Sequence, residues 1–372
     1  MKPLGLPDFP WDSLAPYKAR AGAHGRGIVD LSVGTPVDPT PEVVRRALAD
    51  AVDAPGYPLT SGTPDLRAAI CEWFARRRGV PGLTPDAVLP TIGSKELVAW
   101  LPTLLGLEPG DVVGHPSVAY PTYDIGARLA GATAVPVDSL TALGPPTAST
   151  TPKLLWINSP GNPDGRVLGV EHLRKVVGWA REHGVVVAGD ECYAELDWRP
   201  GHDGQSTPSL LHPDVTGGDL SGLLTVYSLS KQSNLAGYRA AFVAGDPALV
   251  GALLEVRKHA GMIMPAPVQR AMAVALRDDE HVAEQREVYR RRRETLLPAV
   301  EAFGLRVEGS EAGLYLWSTR DEDCWATVEA LADRGVLVAP GSFYGPAGHR
   351  HVRIALTATD ERIAEAADRL AR

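Results

Sequence analysis

The amino-acid sequence predicts an α/β fold with a mostly parallel sheet that is covered by helices on both faces. Short apolar runs of strand length recur through the middle of the chain, and helix-length amphipathic stretches separate most of them. Several runs are continuously apolar rather than alternating, which is typical of strands buried on both faces. The pattern does not show which of these strands runs antiparallel.

Seven apolar runs, each bounded by Gly, Pro, Asn or Asp, are the predicted strands of the large sheet. In chain order they read AVLPTIG, DVVGHP, TAVPV, KLLWINSP, GVVVAGDE, LLTVYSLS and AAFVAGD. The stretch between the fourth and fifth runs, VEHLRKVVGWAREHG (170–184), is typical of the connecting helices. Gly184 is expected to end that helix.

The pattern changes towards both ends of the chain. A long charged helix is predicted at about residues 281–303, followed by an α+β section that contains LYLWS, GVLVAPGS and HVRIAL. The first 45 residues are rich in proline and glycine, and IVDLSVG is the strand predicted there. We therefore expect an N-terminal arm that forms part of the small domain (1–45), a large ligand-binding domain (46–285) and a small C-terminal domain (286–372).

Composition and charge argue against several classes of function. A formal net charge of −8 does not fit a nucleic-acid-binding surface, and the dense basic run YRRRRE (289–294) is expected to form a solvated helix face. No apolar run is long enough to cross a membrane, and three cysteines without a CxxC pair fit a reducing compartment. We expect a cytoplasmic protein without nucleic-acid, membrane or metal partners.

The residues that follow each predicted strand are the site candidates, because ligands of doubly wound sheets bind at the carboxyl ends of the strands. Gly93, Ser94 and Lys95 follow the first run and open a helix whose free N–H groups can hold a phosphate. Three other strands lead into the polar segments NSPGNPDG (158–165), DECY (190–193) and SLSK (228–231). A phosphate site, an acid, a phenol and an amine would thus meet at one edge of the sheet.

This set of residue types matches the chemistry of pyridoxal phosphate. That cofactor needs a lysine for a Schiff base and an acid facing its pyridinium nitrogen, so that the ring can accept electrons from a substrate carbanion. A phenol or amide beside the ring oxygen, and Arg, Ser and backbone N–H groups around the phosphate, complete such a site. Each residue taken alone has an ordinary structural explanation, since most lysines are solvated and Asn is common in Pro/Gly turns.

In the order and spacing of these segments, the chain from about Ile28 to the C-terminus resembles class I/II aminotransferases of the type I pyridoxal-phosphate transferase fold. The resemblance implies a large cofactor-binding domain with a mostly parallel seven-stranded sheet, and a smaller α+β domain built from both chain ends. It also implies amino-acid and 2-oxo-acid substrates and a homodimer with shared active sites.

The resemblance implies a role for each candidate residue. Among the catalytic residues, Lys231 would be the Schiff-base lysine and proton-transfer base, Asp190 would pair with the pyridinium nitrogen, and Tyr193 would contact the ring oxygen. The other expected cofactor contacts are Asn162 at the ring oxygen, Tyr120 on the ring face, Gly93, Ser94, Lys95, Ser228 and Arg239 around the phosphate, and Tyr57 from the partner subunit. Arg353, with Gly34 and Asn162 nearby, would bind the substrate α-carboxylate.

Within that class, three stretches resemble actinobacterial N-succinyldiaminopimelate aminotransferases, namely TIGSKELVAWLPTLLGL, INSPGNPDGRVLGVEHLRKVV and SKQSNLAGYRAAFVAGD. This resemblance implies amino transfer between N-succinyl-LL-2,6-diaminopimelate and 2-oxoglutarate, with glutamate as the donor in the biosynthetic direction towards lysine. A carboxylate at the distal end of such a substrate needs a cation, for which Lys95, Arg26 and Lys18 are the candidates.

Alternatives on the same fold stay open. One is an aminotransferase for another amino acid, of aspartate, alanine or aromatic type, and another is a pyridoxal-phosphate lyase, decarboxylase or acyltransferase. Arg353 favours transamination, because it would hold an α-carboxylate that is retained. The stretch SLSK also matches the S-x-x-K motif of acyl-serine enzymes, but the chain has neither the S-D-N nor the K-T-G motif of that class.

Overall fold

The computed structural model describes residues 5–143, 147, 150–202 and 204–371 of the chain. The strands in these residues are β1 (Val29–Asp30), β2 (Val88–Ile92), β3 (Val112–His115), β4 (Thr133–Pro136), β5 (Leu154–Asn158), β6 (Val186–Asp190), β7 (Leu223–Ser228), β8 (Ala240–Gly245), β9 (Arg306–Val307), β10 (Tyr315–Thr319), β11 (Val336–Leu337), β12 (Ala339–Pro340) and β13 (His351–Ala355). The seven apolar runs predicted as strands are β2 to β8, so each of these predictions is confirmed.

Several of the helices begin or end at residues with recognisable capping chemistry. They are α1 (Ala15–Gly22), α2 (Glu42–Asp50), α3 (Pro64–Arg77), α4 (Ser94–Leu104), α5 (Thr122–Leu129), α6 (Val170–His183), α7 (Pro213–Thr216), α8 (Pro247–Ala260), α9 (Ala266–Arg277), α10 (Glu280–Ala302), α11 (Cys324–Asp333) and α12 (Asp360–Leu370). The Thr63 side chain accepts a hydrogen bond from the first turn of α3, which Pro64 opens. Gly184 ends α6 at a φ of 66°, as predicted.

The central sheet has seven strands in the order β2-β8-β7-β6-β5-β3-β4. The strands from β7 to β4 are parallel to one another, whereas β8 is antiparallel to both of its neighbours, β2 and β7. The α/β class and the mostly parallel sheet are therefore confirmed.

Helices cover both faces of this sheet because its strands are apolar on both sides. On β5, Leu155 and Ile157 pack into a core with α2, α3, α6 and α9, while Leu154 and Trp156 point to the other face and pack with α4, α5 and α8. All four side chains are buried. This two-sided burial is the physical reason for the continuous apolar runs in the sequence.

A second core combines residues from both ends of the chain. Strand β1 pairs in parallel with β11, and a four-stranded antiparallel sheet has the order β12-β13-β10-β9. Leu14 and Leu31, near the N-terminus, belong to the same buried cluster as Leu337 and Ile354. Because the two chain ends share this core, we propose that they form one small domain.

Two local expectations are corrected. Strand β1 is shorter than the predicted run, because the Asp30 side chain accepts a hydrogen bond of 3.0 Å from the Ser32 N–H and turns the chain. The basic run in α10 is not a wholly solvated face, since the Arg292 side chain is only 3% exposed and pairs with Asp38 and Asp360. In the described residues, no helix has the length and apolarity that a membrane crossing requires.

Candidate active site

Three parallel strands end side by side at one edge of the central sheet. Asn158 of β5 lies opposite Asp190 of β6 in the register of the sheet, and β7 ends beside them at Ser228. A cavity of about 430 Å³ opens at this edge. The predicted site residues that line it are Gly34, Ser94, Lys95, Tyr120, Asn162, Asp190, Tyr193, Ser228, Lys231, Arg239 and Arg353. The sheet edge therefore brings together residues from the middle and both ends of the chain.

Lys231 lies in the loop that follows β7. Its side chain is half-buried in the cavity wall, and Nζ donates a hydrogen bond to the backbone oxygen of Gly34. Burial lowers the pKa of the Lys231 amine and Arg353 lowers it further, whereas Tyr315 opposes the shift. A larger fraction of this amine is therefore unprotonated at neutral pH than in a surface lysine.

Asp190 is a buried carboxylate at the end of β6. Its Oδ2 accepts a hydrogen bond of 2.9 Å from the Tyr123 hydroxyl, and its Oδ1 accepts one of 3.2 Å from the Cys192 N–H. Burial raises the pKa of Asp190, and these hydrogen bonds act in the opposite direction. Both partners are neutral, so a cation placed in the cavity would stabilise the ionised form of Asp190.

Two asparagines connect the strand ends to the small sheet. Asn158 Nδ2 donates to the backbone oxygen of Asp190 at 3.0 Å, and its Oδ1 accepts from the Asn162 N–H at 2.8 Å. Asn162 Oδ1 in turn accepts a hydrogen bond of 3.0 Å from Arg353 Nη1. This chain of contacts fixes the loop after β5 between β6 and β13.

Arg353 is a buried guanidinium on β13, with 2% of its surface exposed. Nη2 donates to the Ser32 backbone oxygen at 2.9 Å, and the guanidinium lies 3.9 Å from the ring centroid of Tyr315 and 4.9 Å from that of Tyr344. Within the described residues, its Nε has no hydrogen-bond partner. A guanidinium has five N–H donors, so Arg353 retains donors for an anion in the cavity.

Tyr193 and Tyr315 form a pair of phenols in the same cavity. Their hydroxyl oxygens are 3.0 Å apart, and their rings meet edge to face with centroids 5.7 Å apart. Burial, and next the Tyr315 phenol, raise the pKa of Tyr193 well above the usual value for tyrosine. Tyr193 therefore stays protonated at neutral pH.

The segment around Gly93 provides polar groups suited to an anion. Gly93 has a φ of 85° and precedes the first residue of α4, and a Cβ atom there would lie 2.2 Å from Arg239 Nη2. The Ser228 and Ser230 hydroxyls are 2.7 Å apart on the neighbouring loop. Free backbone N–H groups at the start of α4, two hydroxyls and a guanidinium thus surround one end of the cavity.

Two predicted residues do not line the cavity. Gly93 lies behind Arg239 and gives it the room described above. Tyr57 is 100% exposed and has no place in the cavity of its own subunit, so its predicted role in a partner's site stays a prediction.

A second cavity, of about 670 Å³, adjoins the first. Phe9, Trp11, Lys95 and Tyr120 border both cavities. Lys95 Nζ lies 5.4 Å from the ring centroid of Phe9 and 5.7 Å from that of Tyr120. In the described part of the chain, no carboxylate pairs with Lys95, so its side chain is available to an anionic ligand at this junction.

Several residues in or beside the cavity were missed by sequence reasoning. Tyr123 lies three residues after Tyr120 in the same stretch, but nothing local indicates that it reaches Asp190. Tyr315 alternates with Leu314 and Leu316 in an apolar strand and resembles an ordinary core residue. The other missed residues are Phe9, Trp11 and Asn158. Of these, Asn158 could have been identified from its position after an apolar run.

Comparisons with known proteins agree on one family. Residues 26–370 match the family model described as aminotransferase class I and II. The chain is 59% identical over 367 residues to a 4-dedimethylamino-4-oxo-anhydrotetracycline transaminase of Streptomyces rimosus, covering 98% of this chain and 99% of that one. It is 60% identical over 365 residues to a probable aminotransferase of Mycobacterium tuberculosis, covering 98% and 85%.

Solved structures extend the similarity to the whole fold. An aminotransferase of Neisseria meningitidis superposes with a TM-score of 0.89 at 30% identity, covering 100% of this chain and 99% of that chain. A probable N-succinyldiaminopimelate aminotransferase of Thermus thermophilus gives a TM-score of 0.86 at 32% identity, covering 98% and 99%.

Proposed function

Since the chain belongs to the class I and II aminotransferases, which depend on pyridoxal phosphate, we propose that Lys231 is the catalytic amine. We also propose that the amino-acid substrate is N-succinyl-LL-2,6-diaminopimelate. Glutamate and 2-oxoglutarate would be the second substrate pair. The observation that supports the catalytic role is the convergence of Lys231, Asp190 and Arg353 on one cavity.

The cavity has the groups that pyridoxal phosphate requires. Asp190 offers a buried carboxylate whose hydrogen-bond donors are neutral, which suits a protonated ring nitrogen. Ser228 and Arg239, together with the start of α4, offer hydroxyl, guanidinium and N–H donors for a phosphate dianion, and Gly93 leaves space for them. When bound, the cofactor supplies an electron sink for the charge left on the substrate α-carbon after its proton is removed.

The proposed work of Lys231 is proton transfer. A lysine with the ordinary pKa of about 10.4 is a poor base at neutral pH. Burial and the positive charge of Arg353 lower the pKa of Lys231, which would let its amine accept a proton from the substrate α-carbon. Asp190 would hold a proton at the ring nitrogen, and Tyr193 would donate a hydrogen bond to the ring oxygen.

Arg353 would bind the substrate α-carboxylate. Its guanidinium is held by Asn162 and Ser32 and stacked against Tyr315, while its Nε is without a partner in the described residues. A planar guanidinium binds a carboxylate through two parallel hydrogen bonds. Retention of that carboxylate favours transamination over decarboxylation.

The three candidate cations for a distal carboxylate differ in their positions relative to the two cavities. Lys95 lies at the junction of the two cavities, between Phe9 and Tyr120. Lys18 is exposed, and its Nζ lies 3.9 Å from Asp30. Arg26 pairs with Asp368 at 2.9 Å, away from both cavities. Lys95 is therefore the group we assign to the succinyl carboxylate.

We also propose a homodimer in which Tyr57 of one subunit reaches the phosphate bound by the other. The support is that a fully exposed tyrosine follows Gly56 in a loop that also exposes Leu59 and Val52. Apolar side chains exposed together are typical of a surface that another protein covers.

A second candidate substrate is a polycyclic ketone. The relative from Streptomyces rimosus, at 59% identity over nearly the whole chain, is described as a transaminase of a 4-oxo-anhydrotetracycline, and the apolar second cavity could receive such rings. A distal carboxylate is absent from this class of substrate, so Lys95 would not be needed for it.

The test is a pair of half-reactions followed by the visible absorption of the protein loaded with pyridoxal phosphate. Glutamate should remove the visible band, and the succinylated 2-amino-6-ketopimelate should restore it. Restoration by other 2-oxo acids but not by this acceptor would refute the substrate and leave the transaminase. Failure to form any visible band would refute the catalytic site.

Two variants test the assignment of Lys95. Lys95→Gln removes a charge-assisted hydrogen bond of about 1.5–3 kcal/mol, so kcat/KM for the succinylated acceptor should fall by roughly tenfold or more. A 2-oxo acid with an uncharged side chain should be unaffected. Lys18→Gln is the matched control and should leave both rates unchanged; an equal loss in this variant would contradict the assignment.

A further inference from the structure

Tyr315 is brought into the active site by long-range pairing of the small sheet. It is the first residue of β10 and lies opposite Ala355 of β13, two positions along the strand from Arg353. Its hydroxyl oxygen lies 3.0 Å from that of Tyr193, and a Cβ atom at Gly34 would lie only 2.0 Å from it. Position 34 must therefore be glycine for the Tyr315 hydroxyl to lie where it does.

The ring and the hydroxyl of Tyr315 make different contacts. The ring faces the Arg353 guanidinium at 3.9 Å, which fixes its plane. The hydroxyl extends beyond that contact to Tyr193, on the loop after β6. A phenylalanine at this position would keep the first contact and lose only the second.

We propose that Tyr315 is a positioning residue that acts through Tyr193. The Tyr315 hydroxyl donates a hydrogen bond to the Tyr193 oxygen, so that the Tyr193 proton points at the ring oxygen of the cofactor. This inference rests on the proposed function. The two phenols then form a relay in which each hydroxyl donates to the next oxygen. Hydrogen bonds in such a chain strengthen one another.

The direction of donation follows from the single proton on each hydroxyl. When Tyr193 donates to the ring oxygen, its own oxygen can only accept, and the Tyr315 hydroxyl lies 3.0 Å from it. Burial by itself would raise the pKa of Tyr315, but the positive charges of Arg353 and Lys231 and the contact with Tyr193 together lower it. Other titratable groups near the pair in the described residues are Cys192, beside Tyr193, Tyr289, beside Tyr315, and Tyr344, beside Tyr315 and Arg353.

The test is a pH titration of the visible absorption of the protein loaded with pyridoxal phosphate. Loss of the Tyr315 hydroxyl weakens the donation from Tyr193 to the ring oxygen and so destabilises the deprotonated form of the chromophore relative to the protonated form. Tyr315→Phe should therefore raise the midpoint of the titration by about 0.3 pH unit or more. KM for glutamate should stay within about twofold of the wild-type value, because the ring still faces Arg353.

Tyr344→Phe is the matched control. Its ring also faces Arg353, at 4.9 Å, but among the described residues its buried hydroxyl has no hydrogen-bond partner. This variant should leave the midpoint unchanged. An equal shift in both variants, or no shift in Tyr315→Phe, would overturn the proposal.

A double-mutant cycle shows whether Tyr315 acts through Tyr193. In a Tyr193→Phe background, Tyr315→Phe should cause no further shift of the midpoint; a further shift of the same size would mean a direct effect and overturn the proposal. Thermal unfolding of each cofactor-free variant identifies any that fail to fold. A wild-type protein that shows no titrating band would instead refute the proposed function, so the two failures are distinct.

Discussion

Replacement of Arg353 by lysine is the perturbation that tests the substrate-binding geometry most selectively. The change keeps the positive charge in the buried site and removes the planar fork. In the wild-type protein that fork donates to Asn162 at 3.0 Å and to the Ser32 carbonyl at 2.9 Å, and it faces the rings of Tyr315 and Tyr344. A lysine ammonium is a point charge and reproduces neither the bidentate contact nor the stacking.

The expected magnitude follows from these contacts. Losing one of the two hydrogen bonds to an α-carboxylate costs about 1.5–3 kcal/mol, and losing the stacked guanidinium costs about 0.5–2 kcal/mol more. Together these losses lower kcat/KM for glutamate by roughly 30-fold or more. An amine without an α-carboxylate should react at nearly the wild-type rate, because it never used the contact.

The assay is single-turnover kinetics with glutamate, with Arg306→Lys as the matched control. Arg306 is an exposed arginine of β9 that pairs with Glu308 and Asp321 and does not line the cavity. Thermal unfolding of both variants separates loss of binding from loss of fold. If Arg353→Lys retained kcat/KM for glutamate within about twofold, Arg353 would not be the carboxylate-binding residue.

Three further variants test the cofactor site. Gly93→Ala places a Cβ atom 2.2 Å from Arg239 Nη2 and should weaken the binding of pyridoxal phosphate. Gly82→Ala is the control: Gly82 has a similar φ of 84° and no neighbour within 4 Å, so this variant has the same backbone strain of about 1–2 kcal/mol but should keep its cofactor affinity. Equal cofactor affinity in the two variants would show that the contact with Arg239 does not matter. Burial raises the pKa of Asp190, so above about pH 4 the folded protein retains a proton on Asp190 that the unfolded chain has released. The free energy of unfolding of the wild-type protein should therefore fall as the pH rises from about 4 to the raised pKa. Asp190→Asn should lose this slope in urea unfolding of the cofactor-free protein, and identical slopes would refute the shift. Tyr57→Phe should lower cofactor affinity without changing the unfolding temperature of the cofactor-free protein, as measured by equilibrium binding; unchanged affinity would exclude Tyr57 from the partner's site.

The parts of the fold that could be predicted from the sequence are those with local physical causes. A strand buried on both faces must be apolar at successive positions, so β5 and β7 are visible as runs. The antiparallel direction of β8 leaves no such mark, because its residues are equally buried in either direction. Helix periodicity could have indicated that Arg292 shares a face with the buried Tyr289 and Leu296, but its partners, Asp38 and Asp360, are distant in sequence.

The same distinction applies to the candidate site. Asp190 and Lys231 lie just after predicted strands, and the rule that ligands bind at the carboxyl ends of strands identifies them without any tertiary information. Tyr315 could not be identified in this way, because its place beside Tyr193 depends on how β10 pairs with β13 and how the small sheet packs on the large one. Residues that act through another side chain are therefore the ones that cannot be identified from the sequence alone.

In the proposed function, Lys231 is the amine that binds the cofactor. The most direct measurement is borohydride reduction of the protein loaded with pyridoxal phosphate, followed by proteolysis and mass mapping of the peptides. The chain has seven lysines, and we expect the mass of the reduced cofactor on the peptide that contains Lys231. If this mass were found on another lysine, or on none, Lys231 would not be the amine that binds the cofactor.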